Sequence, residues 1–197
     1  MHAVKPLPFN AAKLRGLSEK LIVSHHENNY GGAVKNLNRT EEELARITKD
    51  TPPLVVAALK ERELTFANSA TLHELYFGNL GGDGKASGGI EGAVSKAYGS
   101  FGRWEELFRL TGMGLAGGSG WVVLAWDFQR NEARSYWAGN HTQACAFGQP
   151  LLVLDMYEHA YAIDYGAAAA KYVDAFFQNV QWDEVNRRLE SAQRRSA

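Results

Sequence analysis

A chain of 197 residues, 45% apolar and 22% charged, can form one large domain or two small ones sharing a core, and excludes a disordered polymer. A formal net charge of −1 gives no footing for a nucleic-acid partner or an acidic membrane surface. The single cysteine, Cys145, excludes an internal disulfide and a Cys-rich zinc site. The opening MHAVKPLPFN has no apolar leader core, and no stretch approaches the ~18 apolar residues of a membrane span. The expectation is a reducing, cytoplasmic location with no membrane association.

From Leu14 to about Ile47 the apolar residues recur at helical spacing, and the doublet Gly31-Gly32 predicts a kink or break. Thr51-Pro52-Pro53 stops this element, and Pro53 suits the first turn of a second helix, about Leu54 to Phe77. GNLGGDGKASGG, with six glycines in twelve residues, reads as a linker; it lacks the GK[ST] ending of a phosphate loop. Helical patterns return at about Ile90–Ala97 and Ser100–Leu110. Gly120–Trp126 and Glu132–Trp137 read as strands joined by the turn Asp127–Asn131, and Leu151–Leu154 as a third strand. Helices are predicted at about Met156–Ile163, Ala167–Val180 and Asp183–Gln193. The basic end, Arg187-Arg188 and Arg194-Arg195, reads as the solvated face of the last helix. The fold class is therefore α+β: an N-terminal long α-hairpin domain, residues 1–80, then a C-terminal domain, residues 81–197, in which helices flank a three-stranded antiparallel sheet.

LLVLDMYEHAYAIDYG, residues 151–166, looks ready for burial yet carries Asp155, Glu158 and His159. A buried charge must be paired, hydrogen-bonded or metal-bound. Taken singly, these residues have plain readings. A lone His on an apolar face is usually a satisfied core residue, Asp155 between strand and helix is an N-cap, and an acid and a His four apart form an ordinary helix pair. Together they say more. At helical pitch Asp155 and His159 share one face, and His25 and His73 ride on the two long helices. Three imidazoles and one carboxylate would then meet between the two domains, a donor set suited to zinc, iron or manganese.

The run LDMYEHAYAIDY resembles the signature of the iron/manganese superoxide dismutases, an Asp-x-Trp-Glu-His-Ala-Tyr run, with Tyr157 here in place of the tryptophan. LPFN, NLN at Asn36–Asn38, LHELYFGNL around His73, GSGW at Gly118–Trp121 and FFQNVQWDEV at Phe176–Val185 follow in the family's order, so the resemblance covers nearly the whole chain. It implies that His25, His73, Asp155 and His159 bind one Fe or Mn per subunit, with solvent in a fifth position. The implied reaction converts superoxide to O₂ and H₂O₂. Glu158 matches the residue that bonds a ligand histidine of the other subunit, which implies a homodimer. Of the two places where the family holds a solvent-orienting glutamine, one is Ser69 here and the other His141. The resemblance makes His141 the residue bonded to the solvent.

Four positions depart from the family pattern. The gateway tyrosine is Ala33, the gateway histidine is Asn29, its tyrosine partner across the dimer is Ala162, and the entrance arginine falls within Ala167–Ala170. Losing both members of the histidine–tyrosine bridge leaves neither buried alone, but it weakens proton delivery and attraction of an anion. Tyr30 and Lys171 lie nearby in the sequence, and neither is assigned the missing roles. The alternative function is a dismutase-like metal-binding protein with little or no turnover.

Overall fold

The structure is a computed structural model that describes residues 1–146 and 148–196. Ser18 starts the first helix, α1 (Glu19–Ser24), by accepting the Leu21 N–H on its Oγ at 3.1 Å. Helix therefore begins later than Leu14, which follows a short 3₁₀ turn at Ala11–Lys13. After α1 the backbone widens into a six-residue π-helical turn, His25–Tyr30, and continues as α2 (Gly31–Leu44). The break expected at Gly31-Gly32 is absent: Gly31 has φ −60° and ψ −39°, ordinary helix values. The irregularity lies one turn earlier, around His25, and π turns concentrate at functional sites. A Cβ on Gly31 would come within 3.9 Å of Val4, so this glycine leaves room for the N-terminal segment to lie against the helix.

Pro53 opens α3 (Pro53–Gly78), whose 26 residues pack along α2. Helices α4 (Gly89–Tyr98) and α5 (Phe101–Met113) lead into β1 (Trp121–Asp127), β2 (Glu132–Ala138) and β3 (Gly148–Asp155). The sheet is antiparallel with order β2-β1-β3, as the α+β reading required. Every residue of the central strand β1 is buried. The Asp127 carboxylate accepts the N–H groups of Gln129 and Arg130, both at 2.9 Å, which forms the hairpin turn. The register pairs Trp121 with Asp155 on one side and with Ala138 on the other, so three strand ends meet at one edge of the sheet.

A single helix over Met156–Ile163 does not form. Asp155 takes the Tyr157 N–H on its own side chain at 2.9 Å, and Tyr157 stays extended at ψ 145°. A 3₁₀ turn, Glu158–Ala160, and a one-turn helix, α6 (Ala162–Tyr165), follow. Asp155 and His159 thus do not share a helix face; a side-chain bond to the backbone outcompetes helix at this point. Helices α7 (Ala169–Gln178) and α8 (Trp182–Ser196) complete the fold. Among the described residues no helix is long and apolar enough to cross a membrane.

Buried Arg188 ties α8 to the rest. It donates to the Leu151 carbonyl at 3.0 Å, the Leu75 carbonyl at 3.2 Å and Glu184 at 2.8 Å. Gly78 makes room for it, since a Cβ there would lie 2.6 Å from its Nη2. Replacing Arg188 with methionine leaves Glu184 to Arg187 alone and removes the donors to the Leu151 and Leu75 carbonyls. It should cost about 3 kcal/mol and lower Tm by roughly 5–10 °C in a thermal melt; an unchanged melt would show the network idle. Burial raises the Glu184 carboxyl, but Arg187 and Arg188 outweigh this and hold it below its ordinary value. The network's contribution is therefore complete above the ordinary carboxylate range and fades as pH falls through the folded-state pKa.

Candidate metal centre

Asp155 ends β3 with no exposed surface and uses its two carboxylate oxygens differently. Oδ1 accepts the Tyr157 N–H, while Oδ2 faces three imidazoles: His25 Nε2 at 3.1 Å, His159 Nε2 at 3.2 Å and His73 Nε2 at 3.5 Å. All four donor atoms lie within 4.8 Å of one another. His25 comes from the π turn, His73 from α3, and His159 from the 3₁₀ turn after the sheet. His25 and His73 are buried; the His159 side chain keeps 25% of its surface exposed. The four residues singled out in the sequence are brought together.

Burial lowers the pKa of His25 against the pull of Asp155, and pushes His73 down to about 3. Burial raises Asp155, but the charge and hydrogen bonds of His159 and His25 outweigh it and hold the carboxyl below its ordinary range. The buried rings are neutral and the acid is ionised. His73 Nδ1 lies 2.7 Å from the Ser69 carbonyl oxygen, which can only accept, so the ring proton sits on Nδ1. Its Nε2 therefore aims a lone pair at the Asp155 carboxylate and at His159 Nε2, 3.4 Å away. The His73 lone pair faces a buried carboxylate at 3.5 Å with no proton between them, an arrangement that repels unless a cation lies among the donors. Neutral imidazoles with one carboxylate suit iron, manganese or zinc, and Cys145 is not part of the cluster. The residues present fit a divalent or trivalent transition metal.

The surroundings orient these groups. Tyr172 donates its hydroxyl to the Asp155 carbonyl at 2.7 Å, and the Tyr76 and Tyr172 hydroxyls meet at 3.2 Å. Trp121, paired with Asp155 across the sheet, donates its indole N–H to His141 Nδ1 at 3.0 Å. An indole only donates, so His141 accepts at Nδ1 and, being neutral, carries its proton on Nε2. Burial lowers the His141 pKa, which keeps that state. Asn68 of α3 holds the His141 carbonyl at 2.6 Å. The His141 ring stacks on Tyr157 at 4.6 Å and 7°, and Tyr157 stacks on His159 at 5.3 Å and 16°. His141 is thus a fixed N–H donor whose ring lies 6.4 Å, centre to centre, from that of His73.

Several of these supports had only weak sequence signals. Trp121 lay within the GSGW motif, but nothing in the spacing linked it to His141. Ser69 serves through its backbone carbonyl, which no side-chain reasoning would find. Ala33 is buried, Asn29 half-buried and Ala162 exposed. Tyr30 does not take over as a free phenol: its hydroxyl accepts the Lys5 N–H at 2.9 Å and donates to Glu74 at 2.8 Å. Lys171 is exposed on the first turn of α7, and Glu158 is exposed with no ion pair among the described residues.

The family model described as iron/manganese superoxide dismutases, C-terminal domain, matches residues 86–188. An iron-type superoxide dismutase of Cupriavidus metallidurans is 47% identical over 195 residues, covering 98% of this chain and 99% of that protein. A manganese-type superoxide dismutase of Halobacterium salinarum is 32% identical over 200 residues, covering 98% of each. An iron-type enzyme of Saccharolobus solfataricus is also 32% identical, over 96% of this chain and 93% of that protein. With two thirds of both chains exceeded at these identities, and the same cluster of three imidazoles and a carboxylate in the fold, the chain belongs to the iron/manganese superoxide dismutase family.

Proposed function

We propose that this chain dismutes superoxide at one iron or manganese ion per subunit, held by Nε2 of His25, His73 and His159 and by Oδ2 of Asp155. What carries the reading is the convergence of three imidazoles on one buried carboxylate oxygen. The metal supplies one-electron exchange: one superoxide is oxidised to O₂, and a second is reduced and takes up two protons to give H₂O₂. The protein's own part is positional. Asp155 neutralises part of the metal's charge, and the Ser69 carbonyl keeps the His73 lone pair aimed inward. His141 offers its Nε2–H beside the site, held by Trp121 and by the face of Tyr157. Metal content and superoxide consumption measured on the same sample test this. The expected result is about one iron or manganese per chain with rapid consumption; a loaded protein that consumes no superoxide would overturn the enzymatic reading and leave the ligand set standing.

The same reading includes a homodimer and two units, residues 1–80 and 81–197, that both supply ligands. Glu158 is exposed next to the partly exposed His159, and Ile163 leaves 46% of its surface to solvent nearby in sequence, features that support a second copy on this face. Glu158→Ala should shift sedimentation toward the monomer and loosen the metal; an unaltered dimer would count against the contact. The lone cysteine and near-neutral charge support a cytoplasmic location and no nucleic-acid partner.

A further inference from the structure

His25 and His73 are carried by different elements, and each is followed in the chain by a residue that faces away from the site. His26 donates its Nε2–H to the Lys5 carbonyl at 2.8 Å. Glu74 accepts from the Lys5 ammonium and, at 2.8 Å, from the Tyr30 hydroxyl. Tyr30 in turn accepts the Lys5 backbone N–H at 2.9 Å. One residue of the N-terminal segment therefore binds the neighbours of both helix-borne histidines and the last residue of the π turn.

Residues 1–6 are exposed, so little apolar burial holds this segment down. Between it and the helices lies a cavity of about 190 Å³ lined by Pro6, Pro8, His26, Tyr30 and Phe77. A segment that roofs a cavity is held by its hydrogen bonds rather than by packing. Farther out, His2 and Asn38 exchange two more bonds, at 2.7 and 2.9 Å, which anchor the segment to α2. Tyr30 is 1% exposed and stacks on His73 at 6.4 Å, so its position is felt at the site. The Lys5–Glu74 pair is largely solvated and contributes little by charge alone. The buried Tyr30 hydroxyl is the stronger element of the lock.

We propose that Lys5, Tyr30 and Glu74 form a latch that holds the π turn bearing His25 against the α3 turn bearing His73, and thereby sets how fast the metal exchanges. The proposal rests on the assignment of His25 and His73 as ligands and adds a role for residues behind them. A π turn is locally less regular than the α-helix on either side. Local opening of such a segment needs far less free energy than global unfolding. Releasing the latch lets His25 swing from the shared oxygen while Asp155 at the end of β3 and His159 on the 3₁₀ turn after it stay in place. Tyr30 is thus a positioning residue that never touches substrate.

The test is metal release from the loaded protein into excess EDTA. Tyr30→Phe, and separately removal of residues 1–6, should speed release by about tenfold while about one metal per chain still binds and turnover per metal stays within about twofold. Trp104→Phe, which loses the buried indole bond to the Ser135 hydroxyl between α5 and β2, serves as a control that loses stability away from Lys5, Tyr30 and Glu74. Release from Tyr30→Phe no faster than from this control, or no faster than from the unaltered protein, overturns the latch. Amide hydrogen exchange on the metal-free protein gives an independent readout. Exchange should rise in residues 25–30 and around His73 of Tyr30→Phe but not in α8; uniform or absent change overturns the proposal. The ligand assignment fails separately, through retained metal in His73→Ala.

Discussion

Replacing His73 with alanine should abolish metal binding and lower the melting temperature of the protein as isolated by roughly 10 °C, because a bound metal at a thousandfold its Kd stabilises the fold by about 4 kcal/mol. His73 is the most constrained of the four donors. Its Nδ1–H is committed to the Ser69 carbonyl at 2.7 Å, and burial keeps the ring neutral, so Nε2 is permanently a lone pair facing the shared centre. Alanine removes that lone pair and leaves a hole among Tyr30, Phe77 and Trp121, whose rings lie 6.4, 6.4 and 5.1 Å from the imidazole. The three remaining donors sit on separate elements and lose a fixed side of their cage. Metal analysis and a thermal melt check both parts. Full metal content in the variant would remove His73 from the ligand set.

His141→Ala should behave in the opposite manner, keeping the metal while turnover per bound metal falls by about 10- to 100-fold. His141 lies outside the cluster of converging donors but is pinned on three sides by Trp121, Asn68 and Tyr157. Such pinning suits a group whose job is to present one N–H in one direction. Glutamine can accept the Trp121 N–H on its amide oxygen and still donate from its amide nitrogen. His141→Gln should therefore recover activity to within about tenfold of the unaltered protein. Equal turnover in the alanine variant and the unaltered protein would end the assignment, whatever the metal content.

The departures at Ala33, Asn29 and Ala162 acquire a physical setting from these contacts. Tyr30, one candidate to replace the missing gateway phenol, has its hydroxyl committed to Lys5 and Glu74. The phenol that does stand beside the site is Tyr157, between His141 and His159. Burial raises its pKa against the pull of Ser119 and the His141 backbone, so it is a neutral partner at ordinary pH.

Element types and most boundaries were legible because they depend on neighbours a few residues apart. Pro53 opened α3, Asp127 turned the hairpin, and the apolar runs of β1 and β3 announced a buried sheet. Two expectations failed where a competing contact entered. Gly31-Gly32 did not break the helix, because the segment containing Val4 lies against that glycine and α3 packs along α2. Met156–Ile163 did not form one helix, because the Asp155 side chain captured the Tyr157 N–H.

The sequence by itself determined which residues could carry chemistry. An acid and a histidine set in an apolar run, with two more histidines on long helices, called for pairing, hydrogen bonding or a metal, since burial of a charge is costly wherever it occurs in the chain. Only the tertiary structure decided that His25 meets Asp155 across 130 positions at 3.1 Å, and which nitrogen of His73 and His141 carries the proton. A ring's proton goes where its partner is: for His73 a carbonyl one turn back in its own helix, and for His141 an indole on β1 that becomes its neighbour only when the chain is folded.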